Sequence, residues 1–265
     1  MIRCAGSFLA ILLSANSAFA ACPGPERVDI YPTGDLLPEN LLRIYAYYPR
    51  PMMVDQGLNH VRLLDEAGTP ISDVFLVNRE NLWSPNRQRL TMILDPGRVK
   101  TGLKAHDRLG RALVVGRTYT VEVPGAALDA DGCPLGADTS HRFTVEPADT
   151  TPPDPARWTL NMPKSGSTQS LIVDLGSAHD HLSLAFRLRV LGPDGTALPG
   201  SIALGENEAS WQFTPRTPWV LARHEIAIED SLEDLAGNRP GGLFDRPVGT
   251  VAEPWKNRLP FVPEH

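Results

Sequence analysis

The chain has 265 residues, 42% hydrophobic and 21% charged, with 25 prolines, 22 glycines, a formal charge of −6 and a pI near 5.6. That length holds one large domain or two of about 100 to 120 residues, each able to bury a sizeable core. The proline and glycine content fits a folded protein with many turns, not a disordered chain, and the acidic balance argues against a nucleic-acid binder or a polybasic membrane-surface protein.

Residues 1–21 read as a cleaved export signal. Arg3 precedes the apolar run Phe8-Leu9-Ala10-Ile11-Leu12-Leu13, and Ala18-Phe19-Ala20 has the small-x-small pattern of a cleavage site. The run is shorter than the roughly 20 residues a membrane-spanning helix needs, and no later stretch approaches that length. Loss of Arg3, with no acid beside it, takes the formal charge from −6 to −7. Cys4 leaves with the signal, so Cys22 and Cys133 remain. Outside the cytoplasm such a pair is expected to form a disulfide. The competing reading makes Phe19-Ala20-Ala21-Cys22 a degenerate lipobox, with Cys22 lipidated and the protein held at the outer membrane. The expected location is periplasmic or secreted.

Short alternating apolar runs bounded by Pro, Gly, Asn and Asp follow in chain order, at 42–48, 61–64, 90–94, 118–123, 171–175, 186–191, 210–213 and 225–228. This period-two pattern predicts strands. Turns fall between them, as at Asp65-Glu66-Ala67-Gly68 and Pro193-Asp194-Gly195. Residues 148–157 are proline-rich and read as a stiff linker between a first domain at 22–147 and a second at 158–251; residues 252–265 read as a tail.

The two domains repeat one another. Tyr119 is followed by Asp129 and Gly132, and His224 by Asp234 and Gly237, at the same offsets. The run Leu90–Pro96 aligns with Ala209–Pro215, and Val61–Gly68 with Leu188–Gly195. One folded unit used twice explains the matches. The segment Phe213-Thr214-Pro215, the strand 225–228 and Leu232-Glu233-Asp234-Leu235-Ala236-Gly237-Asn238 resemble bacterial Ig-like domains of surface-layer type. The stretch from Arg89 to Leu103 resembles a signature of exported bacterial proteins built from two such domains. The resemblance implies an all-β fold of two tandem Ig-like β-sandwich domains. It departs in having Cys133 where the Asp-x-x-Gly-Asn turn has Asn, and His224 where the first domain has Tyr119. The bottom-up pattern of many short strands with regular turns agrees.

Few residues offer chemistry. His179-Asp180-His181 places two imidazoles on one face of an extended segment, a weak metal candidate. Asp230, Glu233 and Asp234 are a weak calcium candidate beside a turn, where Asx hydrogen bonding is the simpler reading. Glu206 and Glu208 read as exposed charge. No nucleophile elbow or nucleotide loop occurs, and His224-Glu225 lacks a second His four residues on. Trp211 reads as core. Trp83, Trp158, Trp211, Trp219 and Trp255 could form a carbohydrate or peptide platform, with Trp83, Trp219 and Trp255 as the candidate binding residues. Trp83 and Trp219 also read as caps of the sandwich ends, and Trp255 is the one best placed to meet a partner. With no catalytic residue, metal or cofactor to assign, the sequence points to a non-enzymatic exported envelope protein, structural or adhesive. Its expected partner is an envelope protein or a glycan. The alternatives are a ligand-binding accessory recognising glycan or peptide, and a metal-dependent enzyme with an inter-domain site using His179, His181 and His224.

Overall fold

Period-two alternation becomes structure at all eight predicted segments, because successive side chains of a strand point to opposite faces and one face must be buried. A computed structural model describes residues 21–77, 82–100, 110–246, 250 and 254–265; the export signal expected at residues 1–21 lies outside the described residues except for Ala21.

In the first half, β1 (Asp29–Tyr31), β3 (Arg43–Tyr47) and β5 (Arg89–Ile93) form one antiparallel sheet in the order β1-β3-β5. The facing sheet has the order β2-β7-β6-β4, from β2 (Leu36–Pro38), β7 (Thr139–Glu146), β6 (Thr118–Val123) and β4 (Arg62–Leu64), with β2 parallel to β7. Ile44, Leu90 and Met92 of one sheet share a buried cluster with Leu63, Val121 and Phe143 of the other. In the second half, β11 (Gly200–Leu204), β12 (Ser210–Pro215), β9 (Leu171–Asp174) and β8 (Thr159–Asn161) form one sheet in that order. Opposite it lie β10 (Leu188–Leu191), β13 (His224–Ile228) and β14 (Arg258–Phe261). Leu171, Val173, Trp211 and Phe213 meet Leu188, Ile226 and Phe261 in a second cluster. Lettered in chain order, this half is the A-B-E-D sheet over the C-F-G sheet of the seven-stranded immunoglobulin sandwich. The chain is all-β with two tandem sandwiches.

One boundary differs from expectation. The segment read as a tail supplies β14, whose Phe261 pairs with His224 and lies buried in the second core. Pro260 is tolerated because β14 is an edge strand, where a missing N–H donor does not interrupt a ladder.

The repeat has a physical basis. Asp129 Oδ1 accepts from the amides of Asp131 and Cys133, and Asp234 Oδ1 from those of Ala236 and Asn238. Each aspartate thereby closes the turn after the F strand, with Gly132 and Gly237 at φ of 80° and 78°. Cys133 occupies the position of Asn238 and forms the disulfide with Cys22. Both sulfurs are engaged, so Cys22 has no thiol to carry a lipid, and the lipobox alternative gives way. A disulfide of this kind belongs to an oxidising compartment outside the cytoplasm. No helix among the described residues is long and apolar enough to cross a membrane. The Tyr119 hydroxyl accepts from the Val114 amide, the tyrosine corner of such sandwiches. His224 makes a shorter version, with Nδ1 against the carbonyl of Ala222 at 2.8 Å and its ring between Trp219 and Phe261.

Candidate functional site at the junction of the sandwiches

The outward face of the first sandwich's β1-β3-β5 sheet is polar and aromatic. In register with inward Ile30, Ala46 and Leu90 run outward Tyr31, Tyr45 and Thr91, flanked by Tyr47, Arg89 and Arg43. This face is covered by a segment of the second sandwich, the short helix His181–Phe186 between β9 and β10. Asp180 starts that helix by accepting from the Ser183 amide at 2.8 Å. The turn it creates explains why His179 and His181 do not share a face as an extended segment would predict. His179 is fully buried at the edge of Trp158, opposite Asp234. Its Nδ1 lies 2.9 Å from the carbonyl of Ser177, and burial pushes its pKa down to about 4. His181 instead lies over the Tyr31 ring, 3.7 Å between centroids, with Nδ1 3.5 Å from Glu208.

Glu208 departs from the exposed position its neighbouring turn predicts. It is buried, and its carboxylate accepts from the backbone amide of Thr33 at 3.0 Å and from the Thr33 hydroxyl. Glu206 is exposed. Glu208 and Asn207 hold φ near +53° and +55°, a conformation unfavourable to non-glycine residues, in the turn that carries Glu208 to the junction.

The same junction uses Asp180 and Glu233. The Tyr45 hydroxyl donates to Asp180 at 2.7 Å, and burial raises the pKa of both groups. Glu233 accepts from Arg43 of the first sandwich and, at 2.9 and 2.7 Å, from Nε and Nη2 of Arg239. Asp234 is spent on its turn and on Asn238; burial, with Asp149 nearby, pushes it up to about 7. Asp230 is exposed. The calcium candidates are thus not brought together, and no group of three or more potential metal ligands occurs among the described residues. Backbone contacts complete the junction. The Leu42 amide donates to the carbonyl of Leu235, whose side chain joins the first core. Asp149 of the proline-rich segment exchanges two hydrogen bonds with Asn40, and its carbonyl also accepts from Asn238.

Beside these contacts opens a cleft of about 650 Å³ between the sandwiches. Arg43 and Arg89 line it from the first sandwich, Arg187, Arg189 and Arg239 from the second, and Phe186, largely exposed, adds an aromatic ring. Glu229 bridges Arg187 and Arg189 from outside the lining. Sequence reasoning missed these arginines because their meeting depends on contacts across the whole chain. The one local signal is Arg189, aligned with Arg62 in the repeat: Arg62 pairs with Glu122 across β4 and β6 as Arg189 pairs with Glu229 beside β13.

The tryptophans do not form one platform. Trp83 packs on Tyr48 against the first core and donates to the carbonyl of Val54. Trp219 is buried, donating to the carbonyl of Gln169. Trp255 is half-buried against the second core and lines a separate cleft with Pro152 and Pro153.

No protein-family model matches the chain, and no curated protein matches it. Among solved structures, native α2-macroglobulin from Escherichia coli aligns over 90% of this chain and 70% of that one, at 8% identity and a TM-score of 0.27. A tandem pair of titin Ig domains aligns over 75% of this chain and 89% of that one, at 11% identity and a TM-score of 0.22. Such scores carry no argument; the sandwich assignment rests on the strand order.

Proposed function

We propose that the chain is a non-enzymatic module of the bacterial cell envelope, structural or adhesive, that presents two sandwiches in one fixed arrangement. The observation that carries the reading is the junction itself. Side chains that could have served chemistry are spent as struts: Asp180 on Tyr45 and a helix start, Glu208 on Thr33, Glu233 on two guanidinium groups. Such pairing fixes geometry and favours no acid or base poised for turnover. The Cys22–Cys133 disulfide supports a site outside the cytoplasm, in line with the export signal expected at residues 1–21. The test is sedimentation of purified mature protein with envelope preparations from cells lacking its gene. Saturable co-sedimentation is expected; protein that stays in the supernatant at all envelope concentrations overturns the adhesive role.

A further inference from the structure

The cleft between the sandwiches carries a charge opposite to that of the chain. Two carboxylates each hold two arginines: Glu233 holds Arg43 and Arg239, and Glu229 holds Arg187 and Arg189. Each Arg–Glu–Arg group has one positive charge in excess. Arg89 adds a third and Asp180 one negative charge, so two positive charges remain in excess. The arginines are aimed by their carboxylates yet keep free donors. Arg187 and Arg189 each engage Glu229 through one terminal nitrogen, and each guanidinium has five N–H groups. Planar, pre-oriented guanidinium groups suit carboxylates, which they grip in pairs of parallel hydrogen bonds.

We propose that this cleft binds an acidic polysaccharide, with sugar carboxylates on the arginines and a pyranose face on Phe186. Two observations favour a sugar polymer over an acidic peptide. A peptide bound as an added strand needs a free backbone edge. The strands bordering the cleft are already hydrogen-bonded on those sides, β5 through the Thr91 amide to Leu82 and β10 through Val190 to the Leu198 amide. Side chains remain the recognition surface, and hydroxyls of Thr91 and Ser231 stand among the arginines for sugar hydroxyls. The inference deepens the envelope reading and rests on it for the compartment.

The experiment is calorimetric titration of the mature chain with alginate oligomers, poly-L-glutamate and neutral dextran at low and moderate salt. Alginate is expected to bind most tightly and to weaken steeply with salt. R187A/R189A, at exposed positions, should lose at least tenfold in alginate affinity, whereas R62A, the counterpart in the first sandwich, should not change it. Lack of alginate binding overturns the site, as does equal binding of dextran, tighter binding of poly-L-glutamate, or equal loss in R62A. Envelope co-sedimentation of R187A/R189A separates the two readings. If the variant loses alginate but still sediments, the module reading stands on other contacts; if wild type binds alginate but never sediments, the module reading alone fails.

Discussion

His179 shows how a single position can look chemical and be structural. It bridges Asp234 as Met52 bridges Asp129 in the first sandwich, and both are fully buried. A methionine therefore fits the equivalent place, and the imidazole leaves its Nε2 buried without a hydrogen bond. Burial holds the His179 pKa near 4, below the ordinary value of 6.5. Below pH 6.5 the unfolded chain takes up a proton that the folded chain refuses, so stability falls from pH 6.5 down to about 4. A shift of this size corresponds to about 3 kcal/mol. H179M should match wild type within about 1 kcal/mol at pH 8. In urea melts its advantage should grow to about 3 kcal/mol at pH 4. Asp234, raised to about 7, contributes in the opposite direction, which is why the difference between variant and wild type is the quantity to follow. An imidazole resonance of His179 that titrates near pH 6.5 would falsify the assignment.

The repeated turn after the F strand does two jobs with one geometry. In the first sandwich Gly132 faces open space, and the turn's Cys133 anchors the N-terminal segment. In the second, a Cβ on Gly237 would lie 2.5 Å from Leu42 Cδ2, because this turn docks against the other sandwich. Both glycines have positive φ, so G132A should cost about 1 kcal/mol from backbone strain alone. G237A should cost more and also loosen the junction, read as a rise in the radius of gyration by X-ray scattering; equal, purely local effects would refute the docking role. The disulfide spans 111 residues of sequence, and its loss in C22A/C133A should lower stability by about 4 to 5 kcal/mol in the chain-entropy model. An unchanged urea midpoint in the double variant would contradict that role.

Elements were legible where burial was one-sided. β6 alternates intermediate and buried along its length, and its predicted span matches residue for residue. β11 escaped notice because it is exposed on both faces at its sheet's edge, and without a buried face there is no period to read. The helix His181–Phe186 is a turn and a half long, too short for a 3.6-residue pattern, and its last residue continues the apolar alternation of the next strand. β14 hid behind Pro260. The candidate site was illegible for a different reason: Arg43 and Glu233 lie 190 residues apart, and nothing local to either announces the other.

At the scale of the molecule, the proline-rich segment is a pinned bridge and not a free hinge. Asp149 is tied to Asn40 in one sandwich and Asn238 in the other, while Thr150, Thr151 and Asp154 remain exposed to a protease. Cutting there removes the covalent tether, whose effective concentration for a short connection is on the order of millimolar. The junction must then hold by its own contacts: the Leu42–Leu235 backbone bond, Tyr45 on Asp180, Thr33 on Glu208, Tyr31 against His181, and Arg43 on Glu233. Limited proteolysis should give two bands of about 13 kDa on a denaturing gel, as expected of two sandwiches. On size exclusion at roughly 100 µM, about a tenth of that tether concentration, the cut protein should still elute as one species held by the contacts of the junction. R43A/E233Q removes the cross-sandwich ion pair, whose hydrogen bond between charged groups contributes about 2 kcal/mol. After cleavage that variant should separate into halves at the same concentration, each retaining its β-sheet circular dichroism. Separation of the wild-type halves would mean that the proline segment alone joins them, and that the fixed arrangement does not survive in solution.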